Sequence, residues 1–148
     1  MARCLVTGGA GFIGSALVRA LLKNGHEITV VDNLSTGNMR NLAAVADSIR
    51  FFNTDICDVE HLAPLFSRME VCFHQAALPS VPRSVSDPFS SNRVNVDGTL
   101  AVFLAAHAAG VRRVVFASSS SVYGLSPVSP LSETLTRSPR SEEHTSEL

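Results

Sequence analysis

One stretch near the amino terminus restricts the fold more than any other: Leu5-Val6-Thr7-Gly8-Gly9-Ala10-Gly11-Phe12-Ile13-Gly14. Residues 3–7 form an apolar run too brief for a helix and stopped by glycine, which predicts a buried parallel strand. Ile13, Leu17, Ala20 and Leu21 then recur at helical spacing over 12–24, and Gly25 closes the helix. A strand, a glycine-spaced turn and a helix make a phosphate cradle. Gly8 permits the tight turn, Gly11 lets backbone approach a pyrophosphate, and Gly14 lets the helix pack closely on the strand. The helix N-terminus adds unpaired N–H groups and a favourable dipole. No Gly-Lys-Ser/Thr follows, so a nucleoside-triphosphate loop is disfavoured.

The rest of the chain repeats the alternation. Strands are expected at 27–31, 49–53, 71–74 and 112–117. Helices are expected at 39–46 (weakly), at 59–68 despite Pro64, and from the Asp87-Pro88 start to residue 109, before Gly110. Such alternation predicts βαβ units with right-handed crossovers. The fold class is therefore α/β, a doubly wound parallel sheet of order 3-2-1-4-5 that ends after its fifth strand. A chain of 148 residues is one domain's worth, and 17% charged with 45% hydrophobic residues argues against disorder.

Other classes are excluded by what the chain lacks. A net charge of −1 offers no basic field for nucleic acid. No apolar run approaches the ~20 residues of a membrane span, and no leader-like segment precedes the first strand, so a cytoplasmic address is expected. Cys4, Cys57 and Cys72 show no CxxC spacing, and His26, His61, His74, His107 and His144 are scattered, so no metal site is expected.

Asp32 ends the second strand eighteen residues after Gly14. A carboxylate there accepts both hydroxyls of an adenosine ribose and repels a 2′-phosphate, favouring NAD over NADP. The plainer reading is an Asp capping the turn before Asn33.

Six motifs follow in order: Thr7-Gly8-x-x-Gly11-x-x-Gly14, Asp32-Asn33-Leu34-Ser35-Thr36-Gly37, Asp55-Ile56, His74-Gln75-Ala76-Ala77, Asn95-Val96-Asp97-Gly98-Thr99 and Ser118-Ser119-Ser120-Ser121-Val122-Tyr123-Gly124. Together they resemble the extended short-chain dehydrogenase/reductase family, in its NAD-dependent nucleotide-sugar epimerase and dehydratase branch, over residues 1–139. Ala77-Leu78-Pro79-Ser80-Val81-Pro82-Arg83-Ser84 is most similar to UDP-sugar 4-epimerases.

The resemblance implies a Rossmann domain holding NAD. It places Phe12 and Ile13 over the pyrophosphate and residues 32–37, with Asn33, Ser35, Thr36 and Gly37, around the adenosine ribose. Asp55 and Ile56 then fall at adenine, and Gln75, Ala76 and Ala77 at the nicotinamide-side ribose. Asn95 braces the fourth strand near the cofactor, or is a simple helix–strand tie. Ser80, Arg83 and Ser120 fall to the UDP-sugar substrate, although Arg83 reads equally well as a solvated surface cation. Ser119 takes the hydroxyl role beside a catalytic tyrosine, or the serine cluster is a strand-end turn satisfying its own backbone.

The pattern also needs Tyr-x-x-x-Lys, whose lysine and cofactor charge lower a phenol from its usual ~10. Tyr123, the sole tyrosine, belongs to the Val-Tyr-Gly motif, and Lys23, the sole lysine, lies on the first helix. Where the pair is expected stand Glu143 and Glu147. The ending Arg140-Ser141-Glu142-Glu143-His144-Thr145-Ser146-Glu147-Leu148 also resembles the translation of a sequencing adapter. The expectation is an inactive NAD-binding portion of a UDP-sugar 4-epimerase, with 140–148 a non-native tail. The alternatives are a dehydratase or reductase of the same branch, or a non-catalytic dinucleotide sensor. Relatives of this type pair as homodimers through the helix ending near Ala109, and without its partner helix the apolar face around Val102 and Leu104 is expected to lie uncovered.

Overall fold

A computed structural model describes residues 1–124 and 128–138; the expected tail, with Glu142, Glu143 and His144, lies outside the described residues. Five strands form one sheet: β1 (Arg3–Thr7), β2 (Glu27–Val31), β3 (Ile49–Phe52), β4 (Val71–His74) and β5 (Arg113–Phe116). All neighbours are parallel, in the order β3-β2-β1-β4-β5. This is the doubly wound order expected from the sequence. β1 is central, with Leu5 in register between Thr29 of β2 and Cys72 of β4. β1 and β2 are buried after their first residues, whereas the edge strands β3 and β5 alternate between half-buried and more exposed positions.

Each face of the sheet carries its own core. On one, Cys4, Val6, Ile28 and Val30 meet Val18 of α1 (Phe12–Lys23) and Leu42. On the other, Leu5, Val31 and Cys72 meet Leu62, Phe66, Val102, Ala105 and Ala106. Alternating residues of a strand serve opposite cores, which is why these strands read as unbroken apolar runs.

The helices depart from their sequence signals. The weak pattern at 39–46 is a 3-10 run, Met39–Ser48, with Leu42 its buried residue and Asn38 capping the Arg40 amide at 2.9 Å. The helix expected at 59–68 is α2 (Val59–Leu62) followed by a 3-10 turn at Ala63–Phe66. Pro64 lacks the N–H that would continue an α-helix, and Arg68 adopts a φ of 64° that ends it. Between β4 and Asp87, where the sequence predicts no helix, lies α3 (Val81–Ser86), started by Ser80 as N-cap. The long helix from Pro88 is α4 (Pro88–Asn92), a π-helical stretch Arg93–Gly98, and α5 (Thr99–Ala108).

Val102 is fully buried, so the expected uncovered face is displaced around the helix. It consists of Val96, Leu100, Phe103 and Leu104. Among the described residues, no helix is long and apolar enough to cross a membrane.

Candidate functional site

The carboxyl ends of the strands open onto one cleft of about 650 Å³, with the glycine loop on its wall. Parallel strands deliver their last residues to the same edge of the sheet, so the topology itself gathers the sequence motifs there.

Gly8 has a φ of +67°, and a Cβ on it would lie 2.6 Å from the Ala76 amide nitrogen. A Cβ on Gly14 would collide with the Gly8 carbonyl oxygen, and one on Gly9 would come within 2.6 Å of Val30. These glycines are filled by protein. Gly8, Gly11 and Gly14 all line the cleft, and Gly11 differs in that the nearest atom to a Cβ there is the Gly8 oxygen, at 3.2 Å. Gly11 is also the N-cap of α1 and supplies no side-chain cap, so the first-turn N–H groups face the cleft unspent. The loop therefore fits an anionic diphosphate. Phe12, almost fully exposed, and Ile13 flank it.

Asp32 is buried, and its carboxylate does two jobs. Oδ2 accepts the Ala10 amide at 2.9 Å and Oδ1 accepts the Leu34 amide at 2.8 Å. The turn-capping reading thus holds in this geometry, and Asp32 also lines the cleft, each oxygen retaining a lone pair. Asn33, Ser35 and Thr36 line the same end, with Asn33 Nδ2 donating to Asp55 Oδ2 at 3.2 Å. Gly37 is not part of the lining. It lies behind Asp32, where a Cβ would come 2.9 Å from Oδ1.

Asp55 and Ile56 continue the wall, Asp55 Oδ1 accepting the Cys57 amide at 2.8 Å. Burial, and then the Asp55 carboxylate, push the Cys57 thiol up to about 11, so it is a poor nucleophile. Gln75, Ala76 and Ala77 follow β4 into the cleft, as does Asn95 from the π-helical stretch. The Asn95 amide clasps the backbone of Leu78, accepting its N–H at 2.8 Å and donating to its carbonyl at 3.2 Å.

Ser119 lines the far end, where its Oγ accepts the Ser121 amide at 3.2 Å and donates to Ser121 Oγ at 3.1 Å. Ser80, Arg83 and Ser120 are not brought into the cleft. Ser80 Oγ caps α3 by accepting the Arg83 amide at 3.3 Å, and Arg83 and Ser120 are exposed.

Thr54, Ser90 and Arg93 line the cleft without a sequence signal of their own, and Ser118 does so from the last motif without a role assigned to it. Thr54 and Ser118 lie just beyond strand ends, a position rule that would have found them. Ser90 of α4 and Arg93, which opens the π-helical stretch, lie where that stretch breaks the 3.6-residue spacing.

His74, at the end of β4, opens the fourth motif, but the resemblance gave it no role. It is buried, with Nδ1 at 2.6 Å from Thr7 Oγ1 and Nε2 at 3.0 Å from Thr99 Oγ1. Its ring stacks on Phe116 with centroids 5.7 Å apart. Burial pushes its imidazole down to about 4, so it is neutral at ordinary pH.

The fold and the cleft define a nucleotide-binding domain of the Rossmann type. Residues 4–146 match the NAD dependent epimerase/dehydratase family, and the chain belongs to that family. It is 48% identical over 143 residues to a UDP-glucose 4-epimerase of Mycolicibacterium smegmatis, covering 94% of this chain and 46% of the relative. It is 38% identical over 122 residues to a UDP-N-acetyl-alpha-D-glucosaminuronate decarboxylase of Bacillus cytotoxicus, covering 82% of this chain and 38% of that relative.

Among solved structures, a UDP-glucose 4-epimerase from Stenotrophomonas maltophila with NAD and a formylated UDP-arabinopyranose superposes with a TM-score of 0.92. It is 31% identical, over 99% of this chain and 46% of that one. A dTDP-glucose 4,6-dehydratase from Streptomyces venezuelae with NAD bound gives a TM-score of 0.90 at 38% identity, over 98% of this chain and 48% of that one. The chain spans less than half the length of each of these proteins.

Proposed function

We propose that this chain is the cofactor-holding part of a UDP-sugar 4-epimerase, with NAD as the cofactor. The observation that carries the reading is continuity. Asp55 with Ile56, Asp32, the glycine loop, Gln75 to Ala77 and Ser119 all line a single cleft, so the groups assigned to each part of a dinucleotide share one continuous surface. Gly11 and the first-turn amides of α1 hold the pyrophosphate. Asp32, with one lone pair left on each oxygen, takes the adenosine ribose and disfavours a 2′-phosphate. Asp55 and Ile56 hold the adenine, and the backbone of Gln75 to Ala77, braced by Asn95, lines the nicotinamide side. When bound, NAD supplies the hydride acceptor for oxidation at C4 of the sugar and returns the hydride afterwards.

Ser119 binds the reacting sugar oxygen through a hydroxyl held by the Ser121 amide. Ser80, Arg83 and Ser120, on segments that follow β4 and β5, are the substrate side of the reading. A dehydratase would carry an acidic pair after Ser119; Ser120 and Ser121 stand there instead, which favours the epimerase. The exposed face of Leu100, Phe103 and Leu104 is where a second subunit packs in the whole enzyme. No Tyr-x-x-x-Lys occurs in this chain, so it binds the cofactor without turning substrate over.

Calorimetric titration tests the first half: NAD binds and NADP binds more weakly, and tighter NADP binding overturns the role of Asp32. An assay of UDP-galactose conversion to UDP-glucose tests the second. Clear turnover by the chain alone would refute the missing-pair argument.

A further inference from the structure

We propose that His74 is a positioning residue for the cofactor cleft: held as its Nε2–H tautomer, it aims the Thr7 hydroxyl so that the oxygen receives the backbone amides of Gln75 and Ala76. The inference rests on the NAD reading above and gives a role to three motif residues, Thr7, His74 and Thr99, to which the resemblance assigned none.

The tautomer follows from counting donors. Thr7 Oγ1 accepts the Gln75 amide at 3.2 Å and the Ala76 amide at 3.3 Å. A hydroxyl has two lone pairs and one hydrogen. Both lone pairs are used, so the hydrogen must go to the third neighbour, His74 Nδ1 at 2.6 Å. Nδ1 is then an acceptor, and the ring's proton sits on Nε2, where Thr99 Oγ1 receives it at 3.0 Å. The opposite tautomer would aim three N–H donors at one hydroxyl oxygen and leave the hydroxyl proton without an acceptor. An imidazolium fails in the same way.

The consequence falls on Ala76. The Gln75 amide also has the Thr7 carbonyl, at 3.1 Å. Among the described residues, the Ala76 amide has Thr7 Oγ1 alone. Ala76 is also the residue against which Gly8 is pressed, so the relay sets the spacing between the glycine loop and the backbone leaving β4. Thr7, His74 and Thr99 thus tie β1, β4 and α5 together directly beneath the cleft.

The test uses the full chain, isotope-labelled at histidine and at backbone nitrogen. NMR of the His74 ring should give an unprotonated Nδ1 and a protonated Nε2, with and without NAD. Thr99→Val removes the acceptor for Nε2–H; it should speed hydrogen exchange at the Ala76 amide and weaken NAD binding roughly tenfold, the size of one lost hydrogen bond. Thr99→Ser, which restores the hydroxyl, should recover both.

A ring protonated at Nδ1 in the unmodified chain overturns the proposal, and that reading needs no variant to fold. Equal NAD affinity and equal Ala76 exchange in the valine and serine variants also overturn it. If the unmodified chain shows the Nε2–H ring and a protected Ala76 amide but binds no NAD, the cofactor reading fails and the relay stands.

Discussion

Acidification should destabilise this protein through His74 before its carboxylates contribute. The imidazole is almost completely buried and is pushed from its ordinary 6.5 down to about 4 by burial. In the unfolded chain it takes up a proton at about pH 6.5; in the folded chain it resists until about pH 4. Between those values the unfolded state binds more protons, so stability falls as the pH falls. The contribution is complete above about pH 6.5 and is lost on reaching about pH 4. At ~1.4 kcal/mol per decade of proton concentration the loss amounts to about 3 kcal/mol, a large share of a small domain's stability.

Asp58, Glu70 and Asp87 are also held below the usual carboxylate range, by the His61 side chain, the Arg3 amide and Ser90 respectively. They shed their contributions only at more acid pH. Urea unfolding followed by circular dichroism, at steps from about pH 7 to about pH 4.5, reads the loss. The His74→Asn chain, which cannot titrate there, should start less stable and show a flatter profile. Parallel profiles for the two chains, or a His74 NMR titration midpoint near 6.5 in the folded protein, would refute the reasoning.

Other expectations are simpler. Gly14→Ala drives a methyl group into the Gly8 carbonyl oxygen and should cost about 2 kcal/mol or more together with most of the NAD affinity; melting curves and calorimetry check both. Gly25→Ala meets no atom within 4 Å but sits at φ +77°, so it should cost about 1 kcal/mol in the same melts and leave NAD affinity unchanged. Asn95→Leu strips Leu78 of both backbone partners and should cost about 2 kcal/mol, with faster hydrogen exchange at the Leu78 amide. Cys57 and Cys72, whose thiols burial raises to about 11 and about 12, should alkylate slowly at neutral pH until the chain is unfolded, as mass spectrometry of iodoacetamide-treated protein would show.

The sheet was legible because its inner strands are largely buried on both faces and therefore spell themselves as short apolar runs. Residues 3–7, 27–31 and 71–74 are strands with those same bounds. Helices were less so, since their ends depend on partners far along the chain. The π-helical stretch at Arg93–Gly98 accompanies the clasp of Asn95 on Leu78, seventeen residues earlier, and no local pattern announces it.

The cleft divides in the same way. Gly8, Gly11, Gly14 and Asp32 are specified by backbone conformation and spacing, which a linear reading sees. His74 acquires its role from Thr7, sixty-seven residues away, and Thr99, twenty-five residues away. A lone apolar-strand histidine looks the same whether it is filler or hinge pin.

That separation has a bearing on synthesis. A ribosome delivers the glycine loop some sixty residues before β4, and the loop's own amino acids are then complete. What Gly8 leans against is Ala76, and what orders Thr7 is His74. Until β4 has emerged and paired with β1, the nascent loop has no opposite wall and no reason to hold one shape. Affinity for a nucleotide should therefore switch on abruptly with nascent-chain length, at the point where β4 clears the exit tunnel.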